Sequence, residues 1–264
     1  MLKTRIITAL VLGATVIAVV VFLPTWGVAT LLGVVWLIGA WEWAGFIRLD
    51  GLARLVYLAP FLAVMLTAPL WAMDREVINW ILGVTGIWWL VALVGVLLYP
   101  IAIAMPVAAV SGLLVLLPAW LVFIYLHSTT GWGLTLGVLI IVWAADVGGY
   151  TFGRVVGSIK LASAVSPSKT WEGFVGGLIL AAIVGWGLSV ILALPPRVFV
   201  AIAVVTAIVS VIGDLTVSVF KRNVGLKGSS SLLPGHGGML DRLDSLSAAV
   251  PVFVLGLNLT GIGE

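Results

Sequence analysis

The feature that most constrains this chain is its succession of apolar stretches, each about 20 residues long and parted from the next by Pro, Gly or a small cluster of charge. A helix rises about 1.5 Å per residue, so each stretch matches the roughly 30 Å hydrocarbon thickness of a bilayer. Nine can be placed, at about 5–23, 27–47, 54–73, 80–99, 107–126, 131–149, 173–194, 197–219 and 245–262. A transmembrane barrel would instead alternate polar and apolar residues over segments of about ten, and that pattern is missing. Of the 264 residues, 62% are hydrophobic and 9% charged, against about a quarter charged in a soluble domain. The expected fold is therefore all-α and polytopic, with about nine transmembrane helices.

The first apolar run, Ile6 to Leu23, follows Met1-Leu-Lys-Thr-Arg and is longer than the roughly 7–15 residues of a signal-peptide core, so it is expected to stay as an anchor. Thirteen Trp and thirty-one Gly fit the same picture, with Trp at headgroup level and small residues letting helices approach. The absence of cysteine excludes a disulfide framework and a thiolate metal site.

Basic residues in short loops favour the cytoplasmic side. With the N-terminus inside, Lys3, Arg5, Arg48, Arg54, Arg154, Lys160, Lys169, Lys221, Arg222, Lys227 and Arg242 all lie there, and Arg75 and Arg197 lie outside. An odd number of spans produces this eleven-to-two split without adjustment. The net charge of +3 is small and dispersed through short loops. It suits anionic lipid headgroups or phosphorylated ligands, and nucleic acid is not expected as a partner.

Twelve of the twenty-three charged residues fall in two segments, Asp146 to Glu172 and Asp214 to Asp244, both on the expected cytoplasmic side. Residues 1–130 thus read as a transmembrane scaffold and 131–264 as a transmembrane catalytic region, with the active site at the cytoplasmic end of the C-terminal helices. The inverted repeat of many transporters is not evident.

Asp214 stands inside the eighth stretch, and a carboxylate there is costly enough to call for a polar interior, a metal or a partner. Ser218 and then Lys221 or Arg222 follow at helical spacing, so one stripe presents a carboxylate, a hydroxyl and a cation. A structural ion pair is the plainer alternative. Next comes a Gly- and Ser-rich run bracketed by Lys221, Arg222, Lys227 and Arg242. Such loops cradle phosphates through backbone N–H groups and hydroxyls, and Ser229, Ser230, Gly237 and Gly238 form the natural cradle.

Asp241 and Asp244 are three residues apart and share a helix face. Joined by Asp214 they make an oxygen-rich set suited to Mg²⁺, while a helix-dipole role is the plainer reading of the pair. His236, in a Pro-Gly-His-Gly-Gly turn, can bond its own loop as readily as a pyrophosphate. Upstream, Asp146 ends an apolar stretch, and Arg154, Lys160 and Lys169 add cations on its side. Ser166-Pro167 with Glu172 reads as the first turn of the next helix.

The run Ser218-x-Phe220-Lys221-Arg222, Lys227, Ser230, Leu233-Pro234-x-His236-Gly237-Gly238-Met239-x-Asp241-Arg242-Leu243-Asp244 resembles the signature of the phosphatidate cytidylyltransferases, or CDP-diacylglycerol synthases. Asp146, Gly153-Arg154 and Ser166-Pro167-x-Lys169-Thr170-x-Glu172-Gly173 resemble the same family, as does the Trp41-Glu42-Trp43 stretch more loosely. The resemblance implies CTP and phosphatidate as substrates, CDP-diacylglycerol and pyrophosphate as products, Mg²⁺ dependence with a second, monovalent cation, a homodimer, and a place in the bacterial plasma (inner) membrane. Its implied catalytic set is Asp214, Lys221, Arg222, Lys227, His236, Arg242, Asp146 and Lys169. Ser218, Ser229, Ser230, Gly237, Gly238 and Arg154 would bind substrate, and Asp214, Asp241 and Asp244 the metal. Gly228 departs from the pattern, which has Asp there, and this implies weakened turnover.

Two rival readings use the same charges. Asp146 and Asp214 on two helices could make an intramembrane aspartyl protease, although Val211 replaces the first Gly of the motif it would need. A transporter of ions or organic phosphates is the other.

Overall fold

A computed structural model describes residues 2–68, 74–232 and 237–262. Its helices fall where the apolar stretches predict them: α1 (Leu2–Phe22), α2 (Thr25–Phe46), α3 (Gly51–Thr67), α4 (Arg75–Leu97), α5 (Met105–Thr130), α6 (Trp132–Val155), α7 (Trp171–Ile191), α8 (Pro196–Asn223) and α9 (Leu240–Thr260). Helices dominate because hydrocarbon offers no partner for backbone N–H and C=O groups, which must be satisfied within the segment. Among the described residues seven helices, α2 and α4 to α9, are long and apolar enough to cross a membrane. The other two carry shorter apolar helices, Leu10–Phe22 and Gly51–Thr67. At 17 residues, α3 reaches only about 25 Å.

One residue, Gly131 at φ +70, parts α5 from α6. That left-handed conformation carries no Cβ penalty for glycine and turns the chain back sharply. At the start of α4 the Asp74 side chain accepts the N–H groups of Glu76 and Val77, at 2.7 and 3.4 Å.

The connection from α6 to α7 corrects the sequence reading. Residues 166–170 do not open a helix: β1 (Lys160–Ala162) and β2 (Ser166–Thr170) form an antiparallel hairpin, with Lys160 opposite Thr170 and Ala162 opposite Ser166. Pro167 pushes Ser166 toward extended backbone. Thr170 then caps α7 by accepting the Gly173 N–H at 3.1 Å, and the Glu172 carboxylate accepts the Ser158 hydroxyl and the Ile159 N–H. The first turn of α7 is thereby stapled to the chain entering β1, so the hairpin stands as a firm cap on the helix pair.

The most extensive helix packing joins α6 to α7, α8 to α9 and α7 to α8. Between α6 and α7 the backbones nearly touch: a Cβ on Gly148 would lie 2.7 Å from Gly176 O. The interior holds Trp43, Phe61, Phe123, Phe199 and Phe253, all fully buried. Trp43 donates its indole N–H to Ala108 O at 2.8 Å and packs in a tilted contact on Phe220, ring centroids 4.9 Å apart, which ties α2 to α5 and α8. Trp80, Leu90, Ile183, Trp186 and Ile191 point outward from α4 and α7, as lipid-facing residues would.

Candidate active site

Lys169, Asp146, Asp214 and Asp244 converge where α6, α8, α9 and the hairpin meet. From β2, Lys169 reaches across to α8 and sets its Nζ 2.8 Å from Asp214 Oδ2. The Ser218 hydroxyl, one helical turn on, donates to Asp214 Oδ1 at 3.3 Å. Burial works against the Lys169 ammonium, yet Asp214, with Asp146 and Asp244 behind it, more than offsets this and raises its pKa above the ordinary lysine value. Lys169 is therefore a fixed positive charge.

Gly213 brings the next carboxylate in. A Cβ at that position would lie 2.5 Å from Asp244 O, so only a bare backbone allows α8 and α9 to cross this closely. The crossing sets Asp244, which is 7% exposed, beside Asp214. Asp146 does not end its helix as the apolar stretch suggests but stands within α6, where it is exposed and lies within electrostatic reach of Lys169, Asp214 and Arg242. Three carboxylates on three helices thus surround one ammonium.

A second pair lies two turns on, near the end of α8. Lys221, 6% exposed, sets its Nζ 2.8 Å from Asp241 Oδ1. The other oxygen of Asp241 accepts the backbone N–H groups of Ser229 and Gly238, each at 3.1 Å. Gly237 makes room, since it adopts φ +82 and a Cβ there would stand 2.8 Å from Asp241 Oδ2. Asp241 is saturated by its own loop.

Glu42 of α2 completes the assembly. Its Oε2 accepts the Ser229 hydroxyl at 2.7 Å and the Leu240 N–H at 2.8 Å, and its Oε1 accepts the Ser230 hydroxyl at 2.5 Å and the Met239 N–H at 3.0 Å. From the sequence, Trp41-Glu42-Trp43 carries only a loose family likeness, with no role for Glu42. Yet the physical cost that marks Asp214, a carboxylate among apolar residues, marks Glu42 equally. The segment 1–130 therefore contributes to the loop as well as to the scaffold.

Not all the expected residues join the centre. Arg222 donates its Nε to Val165 O and its Nη1 to Leu226 O, each at 3.0 Å, and so clamps the hairpin tip to the end of α8. Arg154 is exposed and donates to the hydroxyl of Tyr150 at 2.7 Å. Lys160, Lys227 and Arg242 are also exposed. The hydroxyls of Ser229 and Ser230 are spent on Glu42 rather than turned toward an open cradle. His236 lies outside the described residues.

Among the described residues no three His, Asp or Glu side chains converge closely enough to hold one ion. The expected trio of Asp214, Asp241 and Asp244 is thus not brought together, because Lys221 and two N–H groups engage Asp241. The neighbouring carboxylates of Asp214 and Asp244 do fit a Mg²⁺ ion, which is commonly held by one or two carboxylates plus phosphate oxygens and water.

Comparison with known proteins gives this arrangement its context. The profile of the Cytidylyltransferase family matches residues 3–260. The phosphatidate cytidylyltransferase of Pseudomonas aeruginosa is 40% identical over 284 aligned positions, covering 100% of this chain and 99% of the relative. That of Haemophilus influenzae is 37% identical, covering 96% and 97%. The Staphylococcus saprophyticus protein of the same name is 42% identical over 135 positions, about half of each chain. With a match that runs nearly end to end over a bundle whose charges gather at one centre, the chain belongs to the cytidylyltransferase family.

Proposed function

We infer that this chain transfers the cytidylyl group of CTP to phosphatidate, giving CDP-diacylglycerol and pyrophosphate. The observation that carries the reading is the carboxylate-rich centre around Lys169, placed among membrane-spanning helices where a water-soluble nucleotide and a lipid phosphate can meet. An oxygen of the phosphatidate phosphate forms a bond to the α-phosphorus of CTP, and the bond to the bridging oxygen of pyrophosphate breaks. The nucleophile is already anionic, so the demand on the protein is alignment and charge neutralisation rather than proton transfer. Lys169 supplies a fixed positive charge at the centre and the exposed Arg242 a second one at its edge. Mg²⁺ would be held by Asp214 and Asp244 and would supply Lewis-acid stabilisation of phosphate oxygens.

Lys221 and Asp241 keep the loop in place behind the reacting groups. The aspartyl-protease reading gains no support, since a dyad shares a proton between two carboxylates while Asp214 is matched by an ammonium. The transporter reading has no support from the relatives.

The test is pyrophosphate release by purified protein in detergent, which should require both CTP and phosphatidate. Release without phosphatidate, or none with both present, would overturn the reading. We further propose that residues 221–242 face the cytoplasm of a bacterial plasma membrane and that the enzyme is a homodimer. Ser231→Cys in this cysteine-free chain tests the sidedness: an impermeant thiol reagent on intact cells should leave it unlabelled, and labelling from outside would reverse the topology.

A further inference from the structure

Glu42 is a carboxylate of α2, 4% exposed, and four hydrogen bonds to it come from residues at least 187 positions away. Taking a carboxylate out of water costs several kcal/mol, and charge-assisted hydrogen bonds are what offset such a cost. Among the described residues no lysine or arginine pairs with Glu42, so neutral donors on the loop carry this load. Their distribution is informative. Ser229 and Ser230 lie on the limb leaving α8, while Met239 and Leu240 lie on the limb entering α9. One side chain from a distant helix therefore pins both limbs of the same loop. The fit has little slack, since a Cβ on Gly238 would come within 2.5 Å of Glu42 Oε2.

We propose that Glu42 is the positioning residue of the nucleotide loop, fixing its two limbs so that the cations Lys227 and Arg242 stand correctly for the triphosphate, without itself touching CTP. This rests on the cytidylyl-transfer reading above. The chemistry separates it from simple packing. Glu42→Gln keeps the shape, but whichever way the amide turns, its NH₂ group faces a backbone N–H, that of Met239 or of Leu240. One of the two backbone bonds to the limb entering α9 is then lost while the interior stays filled. A loosened loop weakens its grip on the nucleotide and leaves the lipid side unaffected.

The experiment measures initial rates of wild type, Glu42→Gln, the double variant Ser229→Ala/Ser230→Ala and their combination in detergent, varying CTP and phosphatidate separately. Glu42→Gln should raise KM for CTP about tenfold, with kcat within about threefold and KM for phosphatidate unchanged. The serine pair should move KM for CTP the same way by a smaller factor, and the combination should add nothing to Glu42→Gln alone. A folded Glu42→Gln with wild-type KM for CTP overturns the proposal, and so does an equal rise in both KM values, the mark of a general structural fault. If Glu42→Gln fails to fold, the serine pair decides: an unchanged KM for CTP overturns the proposal. Wild-type turnover is the separate check, because an inactive wild type removes the proposed reaction itself, whereas an active one with insensitive variants removes only the role of Glu42.

Discussion

Two lysine–aspartate pairs stand on α8 with the same N···O distance of 2.8 Å, and they do different work. The side chains of Lys221 and Asp241 are 7% and 12% exposed, and the further acceptor capacity of Asp241 is taken by two backbone N–H groups of the loop. Lys169 and Asp214 are 23% and 28% exposed, and two more carboxylates, Asp146 and Asp244, lie around them. A saturated pair has nothing left to offer a ligand and serves as a staple. An open pair with surplus negative charge suits a cation, and phosphates only through that cation. Ion-pair distance alone does not separate structure from chemistry, whereas the partners left over do.

The largest effect should come from Asp214→Asn, which removes one of the two carboxylates suited to the metal. Turnover should fall on the order of 10³-fold, with folded protein recovered in near-normal yield by size-exclusion chromatography. Near-normal activity at ordinary Mg²⁺ would take Asp214 out of the centre and end the contrast with Asp241. Lys169→Met, measured by the same assay, should cost about 10²-fold in kcat. Lys169→Arg should recover part of it, because the charge matters more than its fork geometry.

Asp241→Asn tests the other pair and should act first on stability. Breaking a buried pair leaves Lys221 uncompensated, at a cost of about 3 kcal/mol, read as a lower Tm in detergent. Its dependence on Mg²⁺ should match wild type. An unchanged Tm with a shifted Mg²⁺ requirement would make Asp241 a metal ligand and erase the distinction between the pairs.

Gly228→Asp sharpens the contrast with a smaller change. A Cβ there would meet Asp241 Oδ2 at 3.5 Å, an ordinary contact, so the fold should tolerate it. The new carboxylate would stand beside the staple and could relay a second cation to the loop, and turnover should rise severalfold with a new response to K⁺. An unchanged rate across Mg²⁺ and K⁺ titrations would mark the position as a tolerant loop site. Arg222→Gln should matter least for chemistry. It loses one carbonyl contact at the hairpin tip and one to Leu226 just after α8, so kcat should change by no more than about threefold, and a far larger loss would return Arg222 to the reacting centre.

What the linear chain decided by itself is its helical, membrane-spanning character and the place of each helix to within a few residues, because burial in hydrocarbon is set by local length and apolarity. The stripe of Asp214, Ser218 and Lys221 was equally legible, since helical periodicity puts residues four and three apart on one face. The partners of those residues were not. Nothing in the spacing says that Lys169 rather than Arg222 meets Asp214, because the meeting depends on a hairpin folding back over the end of α8. Nor does it say that Asp241 turns to the loop while Asp244, three residues on, turns to Asp214. That division follows from the crossing of α8 and α9 at Gly213, where a bare backbone permits one close contact and so fixes the rotation of both helices. Glu42 joins a loop nearly two hundred residues downstream, and only the packing of α2 against α9 places its carboxylate within reach of those four donors.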